Sequence, residues 1–158
     1  MAIYVKLGDI EGSAIDKKHL NWLDVQTVNF GMHLQKLTAR TQSDLGFGPL
    51  TVNDLQVTRE VDKASVLIER ACVYREAKKV EIHFCHDLEG KGSEQFLKYE
   101  LENALVTSYS LTGRHEGGRP TESFALNFTK ATWTYTETNP KIQSSGQIMA
   151  EYDFAAAK

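Results

Sequence analysis

The stretch Asp62-Lys63-Ala64-Ser65-Val66-Leu67-Ile68-Glu69-Arg70-Ala71-Cys72-Val73-Tyr74-Arg75 decides how the rest of the chain is read. Its apolar residues Ala64, Leu67, Ile68, Ala71 and Cys72 recur at i, i+3, i+4, i+7 and i+8, which is one face of a helix of period 3.6. Asp62 fits the N-cap, where a short carboxylate accepts from the unpaired amides of the first turn and complements the helix dipole. The apolar stripe is expected to pack on β-structure, with Lys63, Glu69, Arg70 and Glu76 turned outward. This is the one strong helical pattern in a strand-rich chain, and a solitary helix points away from folds in which helices and strands alternate.

Outward from the helix, the patterns have period two. Ile3–Leu7 is a short alternating strand, and Val52–Val61 a weaker one leading into the helix. Over Trp22–Leu34 the even positions Trp22, Val28, Phe30, Met32 and Leu34 are apolar, while Thr27, Asn29, Gly31 and His33 are polar or small. That predicts a strand with Val28, Phe30 and Met32 on a core and Thr27, Asn29 and His33 in water. Val80, Ile82 and Phe84 form the next strand. Glu94–Leu111 has some helical character, but Leu97, Tyr99, Leu101, Leu105, Tyr109 and Leu111 keep one parity, and we read it as strand. Glu122–Glu137 alternates through Phe124, Leu126 and Phe128, then switches parity to Ala131, Trp133 and Tyr135. Such a switch predicts a bulge or a ribbon passing into another environment. Gln147–Phe154 closes the chain.

Gly113–Pro120 joins the two longest strands as a hairpin, and Asn139–Gly146 is a further loop. Lys36–Pro49 is long for a connection inside a compact domain, and such loops are usually functional. It should project and meet a neighbouring subunit or ring, with Leu45 and Phe47 as contact residues. Two strands of about 16 residues would each run roughly 50 Å at about 3.3 Å per residue, well beyond a typical strand. They must bend at bulges or extend to pair with neighbours, so an oligomer built by sheet continuation is expected.

The 158 residues amount to one domain, 1–158, large enough to bury a core without staples. A net charge of -3 gives no reason to expect nucleic acid. No apolar run reaches the roughly 18 residues of a membrane span, and none forms the h-region of a secretory signal. The expectation is a cytoplasmic protein that leaves the cell, if at all, without an N-terminal signal. The two cysteines, Cys72 and Cys85, are expected to be reduced and packed as small hydrophobes.

Candidate chemistry is sparse. His83, Cys85, His86 and Asp87 cluster residue types that bind metal, and on a strand His83 and Cys85 share a face, with His19 or His33 as further ligands. There is no CxxC or HxxxH, and a strand with polar residues on its exposed face accounts for the cluster equally. No G-x-S-x-G is present. Gly8–Gly12 and Gly113–Gly118 precede no helix and are not phosphate cradles. No catalytic residues, metal or cofactor are expected. The residues describe a β-rich interaction module, with a monomeric metal- or small-ligand-binding barrel or enzyme as the alternative.

Three segments, read together, resemble the haemolysin-coregulated protein family, the tube protein of the bacterial type VI secretion system. They are Ile3-Tyr4-Val5-Lys6-Leu7-Gly8-Asp9-Ile10-Glu11-Gly12-Ser13 with Asp16-Lys17 and His19; Trp22-Leu23-Asp24-Val25 leading to Asn29-Phe30-Gly31-Met32; and Asp62-Lys63-Ala64-Ser65. Tyr99–Tyr109 and Pro120–Phe128 resemble the family's long hairpin. Val66 stands where the family usually has proline, the usual glycine after the helix is replaced by Tyr74-Arg75-Glu76, and His33–Leu50 diverges. The resemblance implies a two-sheet β-barrel with one flanking helix, assembling as hexameric rings that stack into a hollow tube. It further implies a contractile sheath and a spike protein as partners, small effectors in the lumen, and secretion through that machine. On this reading Thr27, Asn29 and His33 face the lumen, and Leu45, Phe47, Arg114 and His115 lie at subunit or ring interfaces.

Overall fold

The computed structural model describes residues 1–36, 47–88, 92–137 and 146–158. Among them the chain is mainly antiparallel β with one helix: β1 (Ala2–Leu7), β2 (Leu23–Val25), β3 (Thr27–Asn29), β4 (Met32–Lys36), β5 (Phe47–Val52), β6 (Leu55–Glu60), α1 (Ser65–Val73), β7 (Lys78–Leu88), β8 (Gly92–Thr112), β9 (Thr121–Asn127), β10 (Lys130–Thr136) and β11 (Gln147–Asp153).

β8 organises the fold. Its first half pairs with β7 on one edge and β10 on the other, and its second half, from Leu105 onward, pairs with β9. The change of partner falls at Asn103, which sits at φ 52°, and at a bulge between Val106 and Ser108. Asparagine is among the few residues that enter the left-handed region at small cost, so the 21-residue strand bends instead of running straight. The strand path runs β2-β1-β7-β8-β9-β6-β3, with β10 and β11 branching from β8. β2 and β3 are separated only by Gln26, so the path begins and ends on one stretch of chain.

The expected Trp22–Leu34 strand is therefore three strands. Leu23 and Val25 are buried against β1, whereas Val28 and Phe30 pack on the core from the next segment, so the inward parity flips at Gln26. Met32 and Leu34 do not face the core: they are 45% and 51% exposed on β4, which among the described residues pairs only with β5, in a separate two-stranded sheet. Lys36 and Phe47–Pro49 accordingly belong to strands, not to a loop, while 37–46 lie outside the described residues. The parity switch expected in Glu122–Glu137 is the passage from β9, paired with β6, to β10, paired with β11.

The core lies between the sheet faces and under α1, with Val5, Leu7, Leu23, Leu55, Val57, Ile68, Ile82, Leu101 and Leu126 fully buried. Phe30, Phe84, Tyr99, Phe128, Trp133 and Phe154 extend it as edge-to-face and tilted aromatic neighbours. The helix is shorter than expected. Ala64 is the N-cap, and no side chain caps it. Asp62 stands two residues earlier, where its Oδ1 accepts the Ala64 amide at 2.8 Å. The buried face is Ala64, Ser65, Ile68 and Ala71, with Leu67 39% exposed. Ser65 can be buried because its hydroxyl accepts the Asp62 amide at 3.1 Å. The helix ends in a Schellman arrangement, with Glu76 N–H bonding Ala71 O at 3.1 Å and Arg75 N–H bonding Cys72 O at 3.4 Å. Arg75 takes the left-handed position at φ 54°.

Candidate functional site

Two polar clusters and two surfaces contain the candidate residues. The first cluster lies on the side of β1 and β7 away from the core, beneath the loop from Gly8 to Asn21. His19 from that loop is buried. Its Nδ1 bonds Asp16 Oδ2 at 2.7 Å and its Nε2 meets His83 Nδ1 at 2.9 Å. The carboxylate requires a proton on His19 Nδ1, which leaves Nε2 as the acceptor and His83 Nδ1 as the donor. Tyr4 stacks on His19 with centroids 4.5 Å apart, and Trp22 meets its edge at 4.9 Å. Burial first, then the neighbouring His19, lowers the His83 pKa to about 4. Cys85 Sγ lies 3.9 Å from His19 Nε2, and burial pushes its thiol up to about 11, away from a reactive thiolate. Among the described residues no group of His, Cys, Asp and Glu is arranged to hold a metal ion. His86 instead stacks on Phe96, Asp87 pairs with the N-terminal amine, and His33 is remote on β4.

The cluster fastens the loop to the sheet. Gly12 is required there, since a Cβ would stand 2.6 Å from Trp22 O. Asp16 entered the sequence reading only through the resemblance, and Ser93, whose hydroxyl lies 3.5 Å from His19 Nδ1, was not singled out by the sequence.

The second cluster was not anticipated from the sequence beyond Asp62, which was read only as a helix cap. Arg59 and Glu122, paired across β6 and β9, are both buried and joined Nη1 to Oε1 at 2.7 Å. Arg59 also pairs with Asp62, whose Oδ2 accepts the Ser13 hydroxyl at 2.8 Å. Tyr109 donates to Glu122 Oε2 at 2.7 Å, and burial and that bond hold its phenol protonated far above the usual range. A signal was available: Arg59 shares the inward parity of Leu55 and Val57, and Glu122 that of Phe124 and Leu126.

Of the expected surface residues, Thr27 and Asn29 are exposed on β3, on the solvent side of the sheet β3-β6-β9-β8. His33 is exposed but stands on the separate β4-β5 sheet. Arg114 and His115 are exposed at the tip of the β8–β9 hairpin. Phe47 opens β5, and Leu45 lies outside the described residues.

Residues 4–135 match the family described as "Type VI secretion system effector, Hcp", and the chain belongs to that family. It is a structural tube protein of type VI secretion and not an enzyme. Protein hcp1 of Pseudomonas aeruginosa is 29% identical over 137 residues, covering 84% of this chain and 82% of the relative. A solved structure titled "Structure of a type six secretion system protein" superposes with a TM-score of 0.90 at 25% identity, covering 99% of this chain and 98% of the other. Hcp1 from Salmonella typhimurium superposes at 0.75 with 24% identity, over 99% of this chain and 96% of the other. Among the described residues no helix is long and apolar enough to cross a membrane.

Proposed function

We propose that this chain assembles as a homohexameric ring whose sheet is continued from subunit to subunit, and that the rings stack into a hollow tube expelled by type VI secretion. The observation that carries this reading is a pair of open edges on one four-stranded sheet. β8 loses its β7 partner after Ala104, so among the described residues its outer edge from Leu105 to Thr112 is unpaired and β3 at the opposite end pairs only with β6. Unpaired edges are templates for another chain, and two different edges on one subunit make a head-to-tail contact, which gives a ring where its rotation closes.

The two ends of the strand path meet at Gln26, whose amide bonds Thr58 O at 3.0 Å, and we read the subunit as a barrel of two sheets. In the ring, the Thr27 and Asn29 side of β3-β6-β9-β8 lines the lumen. The β4-β5 hairpin and the Arg114–His115 tip reach the neighbouring ring, with His33 and Phe47 on the hairpin side. The sheath outside, the spike at the tip and effectors inside are the partners this placement implies. Secretion proceeds through the machine.

Light scattering tests the ring: a mass of about six times 17.8 kDa supports it and a monomer overturns it. Hydrogen exchange then locates the contact. Amides of Leu105–Thr112 that exchange freely in dilute subunits should slow on assembly.

A further inference from the structure

The loop over β1 and β7 is fastened unevenly. Its base is a small ladder: Gly12 N–H bonds Asn21 O at 2.8 Å, Asn21 N–H bonds Ala14 O at 2.9 Å, and Ala14 N–H bonds Trp22 O at 3.1 Å. Beyond these rungs Ile15, Lys17, Lys18 and Leu20 are exposed, Asp16 is partly buried, and His19 alone is buried. Among the described residues, the side-chain hydrogen bonds from Ile15–Leu20 to the sheet come from the His19 ring, to His83, Cys85 and Ser93, and from its partner Asp16, to Ser93. The segment buries no apolar side chain and is held through one titratable ring.

The His19–His83 pair has room for one added proton and not for two. The 2.9 Å bond between His19 Nε2 and His83 Nδ1 needs a lone pair on one of the two nitrogens. One proton keeps it: His19, charged beside Asp16, donates from Nε2, and the N–H that passes to His83 Nε2 faces Glu81 Oε2 at 3.7 Å. A second proton points two N–H groups at each other. Lys18 on the loop, Lys6 over the Trp22 ring and Lys98 on β8 oppose that proton, and Glu94 and Glu100 on β8 offset them only in part. Thr136 and Gln147, bordering the pair from β10 and β11, are uncharged. Tyr4 and the Cys85 thiol, both pushed up chiefly by burial, stay neutral in acid. Imidazoles in water take up protons near pH 6.5, so two freed rings hold two.

We propose that Ile15–Leu20 is an acid-released strap: protonation of the His19–His83 pair lifts it from β1 and β7 while its ladder base and the body of the fold stay closed, uncovering the aromatic face of Tyr4 and Trp22. The released form binds at least one proton more than the fastened one, so falling pH favours it by linkage. The device belongs to the single subunit and does not depend on the ring.

Hydrogen exchange of the full chain, read by mass spectrometry on the peptide spanning residues 15–22, tests the strap. The amides of His19 and Trp22, bonded to Asp16 O and His19 O at 3.1 and 3.0 Å, report its closure. Their protection factors, which cancel the intrinsic pH dependence of exchange, should fall between about tenfold and about a hundredfold for each pH unit below about 6.5, for one or two extra protons on the open form. They should be indifferent to about 1 M urea, since a short strap exposes little surface on lifting, whereas peptides of β6 and β9, opened by global unfolding, should lose protection. Replacing either ring, by His83→Gln or His19→Gln, should flatten the profile, because a carboxamide donates to a neutral imidazole and accepts from a charged one. A wild-type strap unprotected at about pH 7, protection that holds in acid, urea dependence matching that of β6 and β9, or an undiminished slope in either variant overturns the proposal.

Discussion

Arg59 and Glu122 stand opposite one another on β6 and β9, 1% and 0% exposed, with a 2.7 Å bond between guanidinium and carboxylate. Asp62 and Tyr109 complete the shell, so the cluster ties the start of α1 to the centre of the second sheet. Removing one partner of such a pair leaves a charge buried without compensation, at a cost of about 3–5 kcal/mol. Arg59→Met should therefore lower the urea midpoint sharply. Adding Glu122→Gln, which removes the stranded charge and keeps an acceptor for Tyr109, should recover part of the loss. If the double variant is as unstable as the single one, packing of the Arg59 stem is the source of the effect.

The helix separates two costs that the sequence pattern merges. Ile68 is fully buried and Leu67 is 39% exposed, so Ile68→Ala should cost about 2–5 kcal/mol through an unfilled cavity. Leu67→Ala should cost under about 1 kcal/mol, as for a surface site. Asp62→Ala should exceed the roughly 0.5–2 kcal/mol of a lost cap, because its carboxylate also holds Arg59 and Ser13. Equal denaturant midpoints for the Ile68 and Leu67 variants would contradict the placement of the stripe.

Alternation made most of the sheet legible: the β-class, the long β8, the β8–β9 hairpin and the outward Thr27 and Asn29 all follow from period two. The reading failed where periodicity was carried across a change of partner. Leu23 and Val25 are inward at odd positions, Val28 and Phe30 at even ones, and a single parity cannot describe a strand that leaves one sheet for another at Gln26. On the helix, a polar Ser65 goes inside and an apolar Leu67 outside because a local hydrogen bond satisfies the serine. Arg59 and Glu122 lie 63 positions apart. Their side chains carry a parity signal that shows burial, but only the register shows the partner.

Arg75 gives a prediction of opposite sign. Its φ of 54° is the left-handed C′ position of a Schellman cap, which is strained for a side chain and natural for glycine. Its guanidinium is absent from the ion pairs of the described residues, while Arg70 and Lys78 bind Glu76. Arg75→Gly should therefore stabilise the protein by about 0.5–1 kcal/mol, net of the greater freedom glycine has when unfolded. A higher thermal midpoint with unchanged circular dichroism would bear this out, and a lower one would mean that Arg75 makes an unrecognised contact.

His83 sets a pH dependence whose sign follows from burial. Its neutral ring donates from Nδ1 to His19; among the described residues its buried Nε2 has no hydrogen-bond partner, and the Glu81 carboxylate is 3.7 Å away. Protonation would bury a positive charge beside Lys98 and against the His19 ring, with Glu81 and Glu100 as incomplete compensation. The folded pKa is about 4, against an ordinary 6.5 when unfolded. Below pH 6.5 the unfolded chain takes up the proton and the folded one does not, so stability falls as pH drops and levels off near pH 4. At full extent the loss is up to about 3 kcal/mol. Urea midpoints measured from pH 7 to pH 4 should decline for the wild type and decline less for His83→Gln, which does not titrate. Because His83 anchors the loop through His19, the variant should also be less stable than the wild type at pH 7. Parallel pH profiles for the two proteins would show that another group carries the dependence, Asp16 being the next to examine.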